Sequence, residues 1–478
     1  MNSLKQAFKN YYLLNDISGI LFWDNATNLP SKSVEARSEQ MSILSDYIDR
    51  VLRSNDLLTE INSVNPSNLT EKDQKNLSLM KNIVKRENAV DPLLKSKLVK
   101  KKLSCEHLWR EARENNNSSI IEKDFNDLLE LAHEESEQIS FATKLSPYDA
   151  LISKYDIDYD SNKIDQVFEI IKTQLIPQYL DAEKITSPYI YSSNFDEKKI
   201  LEQIKIKLSK LNLDFHRGRI DQSHHPFCGG ATEDVRITTR FENNILETLS
   251  ALFHETGHGV YEQFRPKNYL YEPIGQSRSL SVHESQSLFY ENHIFKSKGY
   301  FNTIKTLFDN PEDLEKSFID HYHKIRINPI RVSSDEFSYP IHVFIRYEIE
   351  KIIFTQKINF KDIRNLWNKY YKEFLAIDLT SDSVGVLQDI HWYEGIFGYF
   401  PTYALGAMTA SQLKFNCAQY DAFLNEPNDD NAQNIAKWLN SNIHQNGSLY
   451  SSDEMLKNIS GETLNSSYYL KHLTSRFF

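Results

Sequence analysis

Residues 243–263 read NNILETLSALFHETGHGVYEQ, and the spacing of their apolar members sets the architecture around them. Ile245, Leu246, Leu249, Leu252, Phe253, Val260 and Tyr261 recur at near-helical intervals, which predicts an amphipathic α-helix capped by Asn243 or Asn244. Within it His254 and His258 stand one turn apart, so both imidazoles can face a single cation. Glu255 projects toward the same edge, where a carboxylate can take the proton of a water acidified by that cation. Gly257 and Gly259 each cost a helix about 1 kcal/mol relative to alanine, so something must pack closely there, a cation being one candidate.

Outward from this stretch the 478-residue chain reads as mainly α. Glycine and proline number 14 each, too few to punctuate a many-stranded fold. From Leu4 to Leu211 amphipathic stretches alternate with polar breaks at 65–70, 115–119 and 192–194, as antiparallel helices do. Helical patterning resumes after residue 243 and runs, with breaks, through Phe374; closing helices follow Phe400, interrupted near 425–431. The lysine-rich run 95–102 reads as a solvated helix face. Residues 224–230 (HHPFCGG) cannot continue a helix, and 235–241 (VRITTRF), β-branched and nearly alternating, form the best strand candidate. An exposed edge on that strand would hold an extended peptide by main-chain pairing. Without repeats or a biased linker, residues 1–478 are expected to form one unit, in which residues 1–211 make an N-terminal helical region and residues 212–478 carry the metal site.

Charge and cysteine usage narrow the partners. Fifty-five Lys and Arg against 66 Asp and Glu give a net charge of -11, which argues against nucleic acid or an anionic membrane. Cys105, Cys228 and Cys417 are too few and too scattered for a disulfide framework or a thiolate zinc site, so a reducing compartment is expected. Residues 1–10 carry no secretory pattern, and no run approaches the roughly 18 apolar residues of a membrane span. The expectation is a soluble, cytoplasmic protein.

Two histidines leave a metal site in need of a third protein ligand. Glu284 is the choice, in the string SVHESQS of residues 281–287, which Leu288, Phe289 and Ile294 extend into a second helix. His283 would point about 100° away around that helix, and Glu262, one turn after His258, is either an outer support or a surface residue. Zn2+ is the first expectation for the single divalent ion, and Co2+ or Mn2+ suits the same donors.

Several short strings occur together and in order: His225-Pro226-Phe227; Asp234, Arg236 and Thr238; His254-Glu255 with His258; 283–287; and Gly385, Gln388-Asp389 and His391-Trp392. Trp23-Asp24, Pro30, Arg37 and Glu39-Gln40 precede them, and GIFGYFPTY at 395–403 follows. Together they resemble the Taq-type metallocarboxypeptidase family over nearly the whole chain. The resemblance implies a large helical, saddle-shaped fold with a deep groove and a small β-sheet at the site. It also implies a cytosolic, homodimeric carboxypeptidase of broad specificity, with His254, His258 and Glu284 as metal ligands and Glu255 as general base. One departure is the string Arg331-Val332-Ser333-Ser334-Asp335, where Ser334 replaces the family's alanine.

An exopeptidase must hold the terminal carboxylate of its peptide substrate, and the planar guanidinium fork suits two oxygens at once. Arg236, Arg331 and Arg346 are the candidates, of which one or two are expected to touch substrate. His391, Tyr399 and Tyr403 are candidate donors to the oxyanion. His225 is expected to position substrate from a stiff loop, and Gln388 and Asp389 to orient a metal histidine. Two other functions fit the same residues: an oligopeptidase cutting short peptides internally, and a non-catalytic helical peptide-binding protein.

Overall fold

The computed structural model describes residues 1–192, 195–241 and 244–478. Twenty-one α-helices and one three-stranded sheet lie among the described residues. The breaks read from the sequence fall where helices end: Asn55–Ser63 gives way to Glu71–Glu87, Pro92–Glu114 to Glu122–Thr143, and Ala418–Asn425 to Asp429–Asn442. The lysine-rich run lies on Pro92–Glu114, where Leu98 is buried and Lys95 and Lys101 pair with carboxylates of neighbouring helices. Some of the break at 192–194 lies outside the described residues, as does Asn243. Asn244 does cap the helix Ile245–Gln263, its side chain accepting from the Leu246 amide.

The sheet precedes that helix: β1 Gly218–Gln222, β2 Cys228–Ala231 and β3 Asp234–Thr239, in the order β1-β3-β2. β3 runs parallel to β1, Gly218 opposite Val235, and antiparallel to β2, Cys228 opposite Ile237. The strand read at 235–241 is therefore real but central, and both its edges are taken. The sheet's edges fall to β1 and β2, and the β2 sequence CGGA carries no β-branched residue to announce a strand. β2 in turn lies against the first helix, Asn2–Thr27, so tightly that a Cβ on Gly19 would fall 2.0 Å from the Gly230 carbonyl oxygen.

Two large apolar cores meet at the site. One joins buried side chains of 90–179 to those of 325–473, the other joins 191–318 to 410–456, and Leu288 packs against both. That seam carries three helices in close register: Ile245–Gln263, Leu280–Leu288 and Pro401–Phe415. A Cβ on Gly257 would sit 2.4 Å from the Gln286 carbonyl oxygen, and one on Gly406 would sit 2.8 Å from Glu284 Cγ. The close neighbour anticipated at Gly257 is thus the backbone of the Glu284 helix rather than a cation, and Gly259 rests on β3 at Ile237. A π-helical turn, Phe289–Phe295, continues the Glu284 helix and turns Glu291 back toward His254.

Candidate metal centre and its groove

Helical spacing and the glycine-mediated contact bring three donors to one point. His258 Nε2 lies 3.4 Å and His254 Nε2 3.7 Å from Glu284 Oε2, and the three donor atoms all fall within 4.8 Å of one another. Ligands at tetrahedral zinc, with bonds near 2.0–2.1 Å, stand about 3.3 Å apart, so the set matches one such ion with little adjustment.

The opposite ring nitrogens are already engaged. His254 Nδ1 donates to Glu291 Oε2 at 2.7 Å, and Glu291 Oε1 is held by Lys296 Nζ and Ser250 Oγ, each at 2.7 Å. His258 Nδ1 faces His283 Nδ1 at 2.5 Å, and His283 Nε2 donates to Glu262 Oε1 at 2.8 Å. Arg265 closes the chain with an ion pair to Glu262 at 3.0 Å. A proton on each Nδ1 satisfies both arrangements and leaves both Nε2 lone pairs facing Glu284. His283, the alternative to Glu284 in the sequence reading, and Glu262, read there as an outer support or a surface residue, therefore stand behind His258. Glu291 escaped that reading; its signal was a carboxylate seven residues after Glu284, on the same helical face.

The charges around these rings call for a cation. Burial pushes the Glu255 carboxyl up to about 7, with Glu284 and Glu291 adding to the rise against the pull of His254. Burial and His283 hold His258 down to about 4, so it is neutral and ligand-ready. Burial alone would lower His254 too, yet Glu284 and Glu291 overcome it and raise the imidazole to about 10. A divalent ion would supply the positive charge that this extra proton supplies in its absence.

Across a cavity of about 620 Å³ the facing wall carries Arg331, Tyr339, Tyr399 and Tyr403, while Pro226, Phe227 and Cys228 line its rim. Arg331 is buried; its guanidinium reaches Asp389 Oδ1 at 2.8 Å through Nη2 and donates to the Tyr339 hydroxyl at 2.9 Å through Nη1. Arg346 Nε reaches the other Asp389 oxygen at 2.6 Å. Burial pushes the Asp389 carboxyl up, but Arg331 and Arg346 outweigh it and hold the group far below the usual carboxylate range. Ser334 donates to the Arg331 carbonyl oxygen at 2.7 Å, a bond that alanine could not make.

Not every candidate of the sequence reading reaches this cavity. Arg346 is fully buried with its donors spent on Asp389, the His342 carbonyl, Gln388 and Tyr371, so it braces the wall and does not enter the groove. Arg236 stands apart, paired with Asp234 at 2.7 Å and stacked 4.0 Å over Trp23. Gln388 and Asp389 organise the two arginines rather than a metal histidine: Gln388 Oε1 accepts from Arg331 N and Arg346 Nη2. His225 is exposed on an adjoining cavity, while its neighbour Phe227 is wedged against Phe22 of the first helix. His391, lowered to about 4 by burial and Arg331, meets the Tyr403 hydroxyl at 3.2 Å. It lines the adjoining cavity, whereas Tyr399 and Tyr403 line the metal cavity itself.

The family model of Carboxypeptidase Taq (M32) metallopeptidases matches residues 3–477. The chain belongs to this family. As an M32 protein it is 30% identical over 477 residues to Carboxypeptidase 1 of Bacillus subtilis, across 96% of this chain and 94% of that one. Its fold superposes on Trypanosoma cruzi metallocarboxypeptidase 1 with a TM-score of 0.92 at 29% identity, covering 100% and 99% of the two chains. A Pyrococcus furiosus carboxypeptidase structure gives 0.92 at 26% identity, covering 100% and 98%. The M32 chain is thus a metallocarboxypeptidase: a peptide hydrolase that uses a divalent metal. Among the described residues, no helix is long and apolar enough to cross a membrane.

Proposed function

We propose that this M32 chain releases single C-terminal amino acids from peptides of varied sequence, with His254, His258 and Glu284 holding one divalent ion and Glu255 acting as general base. The observation that carries the reading is the convergence of both Nε2 atoms on Glu284 Oε2 while both Nδ1 atoms are held from behind. Zn2+ suits this borderline donor set, and Co2+ or Mn2+ would also be accepted. When bound, the ion polarises the scissile carbonyl and acidifies water.

The protein's own groups do the rest. Glu255, poised near neutrality by its burial, takes the proton of the attacking water and passes it to the leaving amine. Arg331 is the one of the three candidate arginines that lines the groove, and it binds the substrate's terminal carboxylate with its orientation fixed by Asp389. Tyr399, raised to about 12 chiefly by burial, stays protonated and can donate to the developing oxyanion, as can Tyr403. His391 acts through Tyr403, and His225 steadies the rim.

The test is incubation of metal-loaded protein with a defined peptide, free or amidated at its C-terminus, with products followed by mass. Stepwise loss of single residues from the free peptide alone is expected. Equal cleavage of the amidated peptide would overturn the reading in favour of internal cutting. That second reading has one observation behind it, since the adjoining cavity of about 1210 Å³ also reaches His254 and Glu255 and could hold chain beyond the scissile bond. A purely binding role is disfavoured by the intact Glu255.

The proposal extends to one folded unit over 1–478 that works as a homodimer in the cytoplasm. Ile17, Val34, Ile43 and Tyr47 are more than half exposed on Asn2–Thr27 and Val34–Arg53, apolar surface that a second copy would cover. The three free cysteines suit a reducing compartment. Light scattering on the purified chain checks the stoichiometry.

A further inference from the structure

Behind the groove wall, a cavity of about 280 Å³ lies between the start of helix Lys298–Lys305 and helix Ser467–Phe477. Its charged lining has one sign: Lys296, Lys298, Lys414 and Arg476, joined by His323 and His472, with no acidic residue among the described ones. Two of these cations are already neutralised. Lys296 Nζ sits 2.7 Å from Glu291 Oε1, and Arg476 pairs with Glu336.

The other two are not. Lys298 and Lys414 meet no carboxylate among the described residues, and Lys414 Nζ donates instead to His472 Nδ1 at 3.0 Å. Burial and Arg476, with Lys471, push the Lys414 ammonium down to about 8 against the pull of Glu336, and an anion in the cavity would add to that pull. Neither ring nitrogen of His323 completes a hydrogen bond, although the Lys296 backbone passes near. Ser297 caps the helix that opens here, and first-turn amides of a helix lack intrahelical partners and point their dipoles at anions.

We propose that this cavity binds a phosphate-class oxyanion, free or carried on a small molecule. Two ammonium groups without a direct carboxylate partner offer charge to an oxyanion, and the Lys298–Lys305 helix start adds the backbone donors that the Ser297 cap, bonded to the Tyr300 amide, leaves over. The site stands apart from the metal donors, yet Lys296 borders both cavities. A bound anion would therefore sit one side chain from Glu291, the support of His254.

The experiment titrates full-length, metal-loaded protein with inorganic phosphate and, separately, with glycerol 3-phosphate, against chloride at matched ionic strength. Calorimetry and thermal melting are the readouts. Saturable binding of one anion per chain with a rise in melting temperature is expected, and tighter binding of one probe identifies the free anion or the phosphomonoester. K298E, at an exposed position, and K414Q should each weaken binding tenfold or more while leaving peptide hydrolysis and the anion-free melting temperature unchanged. Binding no stronger than chloride, or binding that persists at full strength in K298E, would overturn the proposal, the latter by placing the phosphate on the metal.

Discussion

On one wall of the groove Glu255, Glu284 and Glu291 crowd two imidazoles, whereas on the other Arg331 and Arg346 crowd a single carboxylate, Asp389. The first wall has too little positive charge, which a cation held by His254, His258 and Glu284 would supply. The second is complete in itself: each guanidinium is bonded and Asp389 is shared, so Arg331 faces the groove with its geometry already fixed. Ligand affinity belongs to the wall left unbalanced, and preorganisation to the wall that is balanced.

The wall of carboxylates is expected to be most sensitive at Glu255. Glu255→Gln should retain the metal and the fold while peptide turnover falls by about 10²–10⁴-fold, the range of general-base catalysis, as single-turnover kinetics would show. Retained hydrolysis would remove Glu255 from the mechanism. Next comes the balanced wall: Asp389→Ala leaves two buried guanidiniums without their shared partner and should cost about 3–5 kcal/mol in denaturant unfolding, with metal affinity unaltered. An unchanged unfolding midpoint would show that the arginines find other partners.

Glu291→Gln sharpens the opposite wall. It weakens the support of His254 Nδ1 and should lower metal affinity by about 10–100-fold, read by competition with a chromophoric chelator. If affinity holds, the π-helical turn plays no role in ligand orientation. The smallest effect is a pH slope in metal-stripped protein. Glu255 has a folded-state pKa raised from 4.5 to about 7, so its contribution to stability is fully present below pH 4.5 and is lost as pH rises to about 7. Asp389, held low by its arginines, acts with the opposite sign and withdraws stability only as pH falls below the ordinary aspartate range. Melting curves should show Glu255→Gln flattening the neutral slope and Asp389→Asn flattening the acid one.

These two walls also differ in how far the sequence disclosed them. The metal wall was legible because its geometry is local: His254 and His258 share a helical face by spacing alone, and Glu284 sits near the start of the next helix. His283 was placed correctly as pointing elsewhere, but where it pointed required the Gly257 contact between helices. The arginine wall depends on contacts 42 to 58 residues apart, and spacing says nothing about which face of Tyr339–Gln356 turns inward. Arg346 and Arg236 were therefore candidates by residue type, and only the fold shows that they lie off the metal cavity. The sheet was half legible for a similar reason: Val235 and Ile237 advertise β3, whereas Cys228–Ala231 becomes a strand only because β3 pairs with it.

The way Glu284 and Glu336 are seated has a consequence for when the enzyme can work. Glu284 rests against Gly406, and Glu336, which lines the groove, is held by His472 and Arg476. A chain made from its amino end thus presents the His254 helix well before either clamp exists. The groove is therefore complete only when segments as far apart as 254 and 476 have folded together, and a chain cut short before residue 406 would lack the surface on which Glu284 rests.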